Sequence, residues 1–258
     1  MKHLPLLLVF FFTLSGIAED QSAIGDAMKD ALEGIRSSVE RHPETFGSHP
    51  DDFKDFNDSK TLFHRFITES TDQRLKLLLA INELNGEIDY YNQMRPLRPL
   101  ESGPVEEWHL KRIREREILA KEYVRLMAQE KRENSSGSTD PRLNSVIGVI
   151  FKAFAPKVDD LPGDVEGDPD KVKETANAQR LLHRTSMECP DVRLRILFAI
   201  TCLNSVIPHL ESPEIDLDSD EKTKKDYLQM IEHRRYLAEE YIRLGKESQS
   251  EPPGAKNP

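Results

Sequence analysis

The chain has 258 residues, 32% of them charged, with a formal net charge of −10 and a mean hydropathy of −0.60. That length suits one large or two small domains, and the polar composition points to a helical protein with extensive solvated faces. The acidic balance argues against nucleic acid as a partner, because its phosphates demand a dense basic patch; the run from Lys111 to Glu117 alternates sign instead, as a solvated helix face does.

Lys2 and His3 make a short basic start, Leu4 to Leu14 is apolar apart from Thr13, and Gly16 and Ala18 are the small residues of a cleavage site. This is the pattern of a secretory signal peptide over residues 1–18, cut after Ala18. The run is too short for a good membrane span, and no later apolar stretch reaches the roughly 20 residues that a transmembrane segment needs. The expected product is a secreted, soluble protein whose formal charge moves from −10 to −11 with the loss of Lys2.

From Ile24 to Val39 apolar residues recur at steps of three and four, which predicts an amphipathic helix ended by His42-Pro43. A polar connection leads to a second helix through Leu62, Phe63, Phe66 and Ile67, and Ser70-Thr71-Asp72 marks a break with a fresh N-cap. In the third helix Leu75, Leu77, Leu78, Leu79, Ala80, Ile81 and Leu84 cover nearly every face, the signature of a helix surrounded by others. The Pro-rich stretch from Arg95 to Pro104 reads as a loop, and a fourth helix runs from Val105 to about Lys131.

The same order returns. A first helix through Leu143, Ile147 and Phe154 ends at Pro156, and an acidic loop follows from Asp164 to Asp170. Helices then span Lys171–Met187, Asp191–Ile207 and Asp220 to about Glu247. At an offset of 119, Leu62, His64, Arg65, Asp72, Arg74, Leu75, Leu78, Asn85 and Ile88 meet identical residues in the second half; in the fourth helix the offset is 118. Such self-similarity predicts an all-α fold made by tandem duplication of a roughly four-helix unit, a helical bundle with long central and C-terminal helices in each copy. The units are residues 19–132 and 142–247, joined by a Ser-rich linker at 133–141 and followed by a tail at 248–258 whose composition predicts disorder.

Polar residues that recur within a framework are the candidates for binding: His64 and His183 on the second helices, Asn85 and Asn204 on the buried third helices. Asp72 and Asp191 read as N-caps, and Arg74 with Glu122 and Arg193 with Glu240 as ion pairs between third and fourth helices. Cys189 and Cys202 are too far apart along the predicted helix, about 18 Å, to form a disulfide, which requires less than about 7 Å. The Glu106-x-x-His109 motif lacks the second copy that a di-iron site requires, and the acidic loop lacks the glycine position of an EF-hand. No cofactor, metal or hydrolase fingerprint is present. Asn57 and Asn134 begin N-glycosylation sequons in segments predicted as loops.

These features predict a secreted, non-catalytic helical binding or interaction protein, its partner a protein or a hydrophobic ligand. The alternatives are a carrier that holds a hydrophobic small molecule or lipid between helices, with aromatic residues such as Phe63, Phe66, Tyr90, Phe151, Phe154 and Phe198 lining its cavity, and a secreted hydrolase using His64 or His183.

Overall fold

Aspartates start most of the helices in this chain. The computed structural model describes residues 4–42, 45–95, 103–129, 140–159, 161, 165–212, 215 and 220–250, with backbone alone for 4–20, 154–159 and 248–250. Among them the chain is all-helical: α1 (Leu4–Glu40), α2 (Phe56–Glu69), α3 (Gln73–Met94), α4 (Pro104–Gln129), α5 (Pro141–Asp159), α6 (Pro169–Val172), α7 (Thr175–Glu188), α8 (Val192–Leu210) and α9 (Glu221–Ser250). Short 3-10 turns lie at Pro50–Phe53 and Val165–Gly167.

Asp55, Asp72, Asp168 and Asp191 cap α2, α3, α6 and α8. Asp72 accepts from the backbone N–H of Arg74 at 2.9 Å and of Leu75 at 3.3 Å, satisfying donors that a helix start leaves bare. Asp140 and Asp220 make the same contact with Arg142 and Lys222, at 2.8 and 3.0 Å, ahead of α5 and α9.

Three prolines depart from the sequence expectation. Pro104 opens α4 instead of lying in the loop before it, because proline at the first helical position has no N–H to lose. Pro156 falls inside α5, which continues to Asp159; Lys152, four residues back, is exposed, so the hydrogen bond that Pro156 forgoes is lost near solvent. Pro208 likewise lies in the last turn of α8, which runs to Leu210. In the acidic stretch after Asp164, part of the predicted loop winds into the 3-10 turn and α6, because Asp168 caps a helix that Pro169 is preorganised to start.

The third helix of each half is buried as expected. Leu77, Leu78, Leu79, Ala80 and Ile81 are at most 1% exposed, and so are their counterparts Ile196, Leu197, Ala199 and Ile200 on α8. Five consecutive buried residues cover the full circumference of a helix, so α3 has no solvent face over that turn. Each leucine among them contributes roughly 1.5–3 kcal/mol by leaving water.

The chain forms two compact units, and neither is a contiguous stretch. One comprises residues 1–34, 72–131 and 161–182, the other 35–71, 132–160 and 183–258. In the first, α3 packs on α4, and α4 also packs on α6 and the adjacent 3-10 turn. In the second, α8 packs on α2, α5 and α9, and α9 packs on the turn at Pro50–Phe53. Segments 19–132 and 142–247, expected as successive units, therefore each contribute to both compact bodies. The physical reason is on the central helices: α3 and α8 carry identical residues at Leu75/Leu194, Leu78/Leu197, Ala80/Ala199, Ile81/Ile200 and Ile88/Ile207, so either one offers α2 the same docking surface.

This arrangement predicts the behaviour of a nicked chain. Cleavage at a protease site introduced into residues 133–139 leaves both compact units holding segments from each fragment, so the fragments co-elute in size-exclusion chromatography and separate only in denaturant. Separation under native conditions would contradict the interleaving.

Candidate functional site

Helix α8 is buried around Asn204, which is 1% exposed, so the amide has no water to turn to. Its Nδ2 donates to the backbone carbonyls of Phe53 (2.9 Å) and Asp55 (3.1 Å) and approaches Ser59 Oγ at 3.0 Å. Its Oδ1 accepts from Arg234 Nη1 on α9 at 3.0 Å, and the same guanidinium donates to the carbonyl of Lys54 at 2.9 Å. Asn204 and Arg234 thus gather the carbonyls where the 3-10 turn meets α2. Asn85, 0% exposed on α3, accepts from Arg116 Nη1 on α4 at 2.8 Å, but its Nδ2 has no partner among the described residues. Position 59 is a serine, whereas its counterpart at offset 119 is Ala178. Burial lowers the pKa of both arginines, Asp89 opposing the shift at Arg116 and Glu211 and Tyr227 opposing it at Arg234. The two arginines were not among the sequence candidates, yet the offset of 118 pairs them as identical residues, so the signal was present. These asparagines explain themselves as structural, through partners that hold helices together.

The histidines are also accounted for by packing. His64 is half-buried beside Phe63, and desolvation, helped by the Lys60 charge, pushes its imidazole down from the usual 6.5 to about 3. It is neutral near pH 7 and a poor proton acceptor. The His183 ring lies 5.1 Å from Phe198, which also meets Phe63 and Phe151 at 5.7 Å. Of the other aromatic residues expected to line a cavity, Phe66 lies under the Arg193 guanidinium, Tyr90 is 65% exposed, and the side chain of Phe154 lies outside the described residues.

The expected interhelical ion pairs are replaced. Arg74 pairs with its own cap Asp72 at 3.1 Å, and Glu122 pairs with Arg125 one turn along α4. Arg193 instead donates to Tyr241 Oη at 3.2 Å and lies 4.8 Å from the centre of that ring, while Glu240 pairs with Arg243 at 2.7 Å. Near-neighbour pairs on one helix need no second element to be positioned, which favours them over the longer reach. His109 stacks on Tyr91 at 4.0 Å, and no group of three metal-ligating side chains forms among the described residues. Cys189 and Cys202 are buried thiols. Asn57 falls in the first turn of α2 instead of a loop, because Asp55 caps the helix there, and Ser59 of its sequon is fully buried against Asn204. Asn134 and the side chain of Ala18 lie outside the described residues.

Among the described residues a groove of about 690 Å³ lies in the second compact unit, where α5 and α9 both pack on α8. Val149, Ile150, Ala153, Leu203, Val206 and Met230 make its apolar lining. Cys202 adds a buried thiol, and Ser205, His209, Asp226, Gln229 and His233 supply polar atoms. None of these was a binding candidate in the sequence: apart from Leu203, which matches Leu84, those on α8 and α9 stand at positions where the halves differ. Cys202, Val206, Met230 and His233 correspond to Glu83, Glu87, Arg112 and Glu115. In the first unit three of those positions form an ion-pair cluster: Arg112 meets Glu87 at 2.8 Å and Glu115 at 2.9 Å, and Lys111 joins Asp30 of α1 at 2.6 Å. Charged groups that neutralise one another occupy that surface in one unit; an apolar groove occupies it in the other.

Two measurements check this description. Asn204→Ala removes contacts to two carbonyls, a hydroxyl and an arginine and leaves the Phe53 carbonyl without its donor, so urea unfolding shows a loss of roughly 2–4 kcal/mol, about twice that of Asn85→Ala. His64 is kept neutral in the folded state, so protonation of the unfolded chain costs stability as pH falls from 6.5 towards about 3. His64→Gln flattens that acid limb in denaturation curves recorded at pH 7 and pH 4. Comparison of the chain with protein-family models, curated proteins and solved structures finds no match, which leaves the chemistry of the groove as the guide to function.

Proposed function

We propose that this chain is a secreted helical binding protein, produced by duplication of a roughly four-helix sequence unit, whose second half carries a groove for a small hydrophobic molecule. The observation that carries the reading is the replacement of the Glu87–Arg112–Glu115 cluster by Val206, Met230 and His233 in the groove. A volume of about 690 Å³ lies within the range that buries a drug-sized ligand, and an apolar lining with a few polar groups is the usual composition of such sites.

Duplication is supported by the positions of the helices and by the matched Asn–Arg contacts. Helices α2 and α7 start at Phe56 and Thr175 and end at Glu69 and Glu188, both pairs at the offset of 119 that aligns the sequences. Export is supported by the N-terminal apolar run and its small-residue cleavage pattern; sugar at Asn57 or Asn134 would follow from passage through a eukaryotic secretory pathway. A hydrolase built on His64 has little support, since a general base works best with a pKa near the working pH. A protein partner is the second reading, favoured by Tyr90, Leu110 and Trp108, which are 65%, 47% and 37% exposed on α3 and α4.

The test is titration of the full mature chain with an uncharged phenylnaphthylamine fluorophore, whose emission rises in an apolar site. The wild type binds it saturably. Ala153→Trp, which fills the groove from an exposed position on α5, weakens binding at least about tenfold, or ~1.4 kcal/mol, with an unchanged melting curve. Absence of saturable binding, or equal binding by Ala153→Trp, would sink the groove as the ligand site.

A further inference from the structure

A second recess of about 560 Å³ borders the groove, and Gln229 and His233 line both. The two recesses differ in chemistry. The larger has Val149, Ile150, Ala153, Leu203, Val206 and Met230 as its apolar lining, whereas Arg142, Lys225, Glu232 and Tyr236 line the smaller together with Val146 and Leu228. The Arg142 guanidinium carbon lies 4.4 Å from the centre of the Tyr236 ring, so a cation–π contact positions that charge in the lining of the recess. Two permanent cations face one carboxylate there, in a protein whose formal net charge is −10. Long-range electrostatics would therefore repel an anion, and any preference for one must come from this local pair.

Building on the ligand-binding reading above, we infer that the ligand is a single-chain anionic amphiphile, a fatty-acid-like carboxylate. Its hydrocarbon chain occupies the larger recess, between Val149, Leu203, Val206 and Met230. Its carboxylate sits in the smaller one, within reach of Arg142 and Lys225, with the His233 imidazole at the junction. Arginine suits this role because its planar fork can meet both oxygens of a carboxylate. Asp226 and Glu232 are the carboxylates that face the groove, and they bar a second anionic group, which favours one head over a multiply charged one. The occupant is a free monomer: the pair of recesses has the size of a pocket for one small molecule, not of a platform for a bilayer.

The test displaces the uncharged fluorophore from the full mature chain with three probes of equal chain length: dodecanoate, dodecanol and dodecyltrimethylammonium, all below their micellar concentrations. Dodecanoate displaces it at a concentration at least about tenfold lower than the cation does. In the double variant Arg142→Gln/Lys225→Gln, whose two sites are solvent-exposed, that preference falls about tenfold while dodecanol displaces as before. Equal displacement by the anion and the cation, or a preference that survives the double variant, would overturn the head assignment and leave the groove intact. Failure of all three probes and the fluorophore to bind would remove the ligand-binding reading itself. Sedimentation with phosphatidylglycerol vesicles without binding of monomeric dodecanoate would overturn the free-monomer assignment in favour of a membrane surface.

Discussion

A helix enclosed on every side must satisfy its polar groups without water, and in this chain that constraint falls on Asn204. Its amide meets two backbone carbonyls and a serine hydroxyl, and its oxygen meets an arginine that holds a third carbonyl. Where the 3-10 turn changes into α2, the carbonyls of Phe53 and Lys54 precede the helix, while that of Asp55 already accepts from the Ser59 N–H at 3.0 Å. Asn204 and Arg234 supply the missing donors from α8 and α9. The second compact unit thus depends on a polar contact at the centre of an apolar core, where geometry is demanding and the cost of leaving a group unpaired is high. Apolar packing around it, including Phe53 and Leu203, supplies driving force without specifying register.

The first unit keeps the same contact in a reduced form. Asn85 and Arg116 form the matching amide–guanidinium bond, and the Asn85 Nδ2 has no partner among the described residues. Where the second unit opens a groove, the first gathers Glu87, Arg112 and Glu115 into contacts of 2.8 and 2.9 Å. One framework therefore bears two surface chemistries. The central apolar positions constrain substitution through volume and shape; the halves diverge at positions such as Glu87/Val206 and Arg112/Met230, where one half pairs its charges and the other has none to pair.

Much of the helical content was legible from local pattern. The caps at Asp72 and Asp191, the break after Glu69 and the burial of α3 and α8 follow from side-chain periodicity and N-cap chemistry, which act over a few residues. The prolines were harder: Pro104 and Pro156 are read as breakers, although a first-turn or last-turn proline interrupts little. Sequence singled out Asn204 and Asn85 as buried polar residues in need of partners, but not what they hold. It singled out His64 and His183 for recurring, and recurrence turned out to mark packing against Phe63 and Phe198. The groove residues escaped notice because a search for repeated polar residues passes over positions that differ between copies.

By itself, then, the sequence determined the helices, their caps and the apolar faces to be buried, because each of those is decided among neighbours within a turn or two. It also contained the paired arginines, readable from the offset of 118. Only the tertiary structure decided which central helix α2 joins, because α3 and α8 present the same residues and local information cannot choose between equal surfaces. It alone decided that the space between α5, α8 and α9 stays open, since a groove depends on how three separate helices are placed against one another, which no local pattern sets.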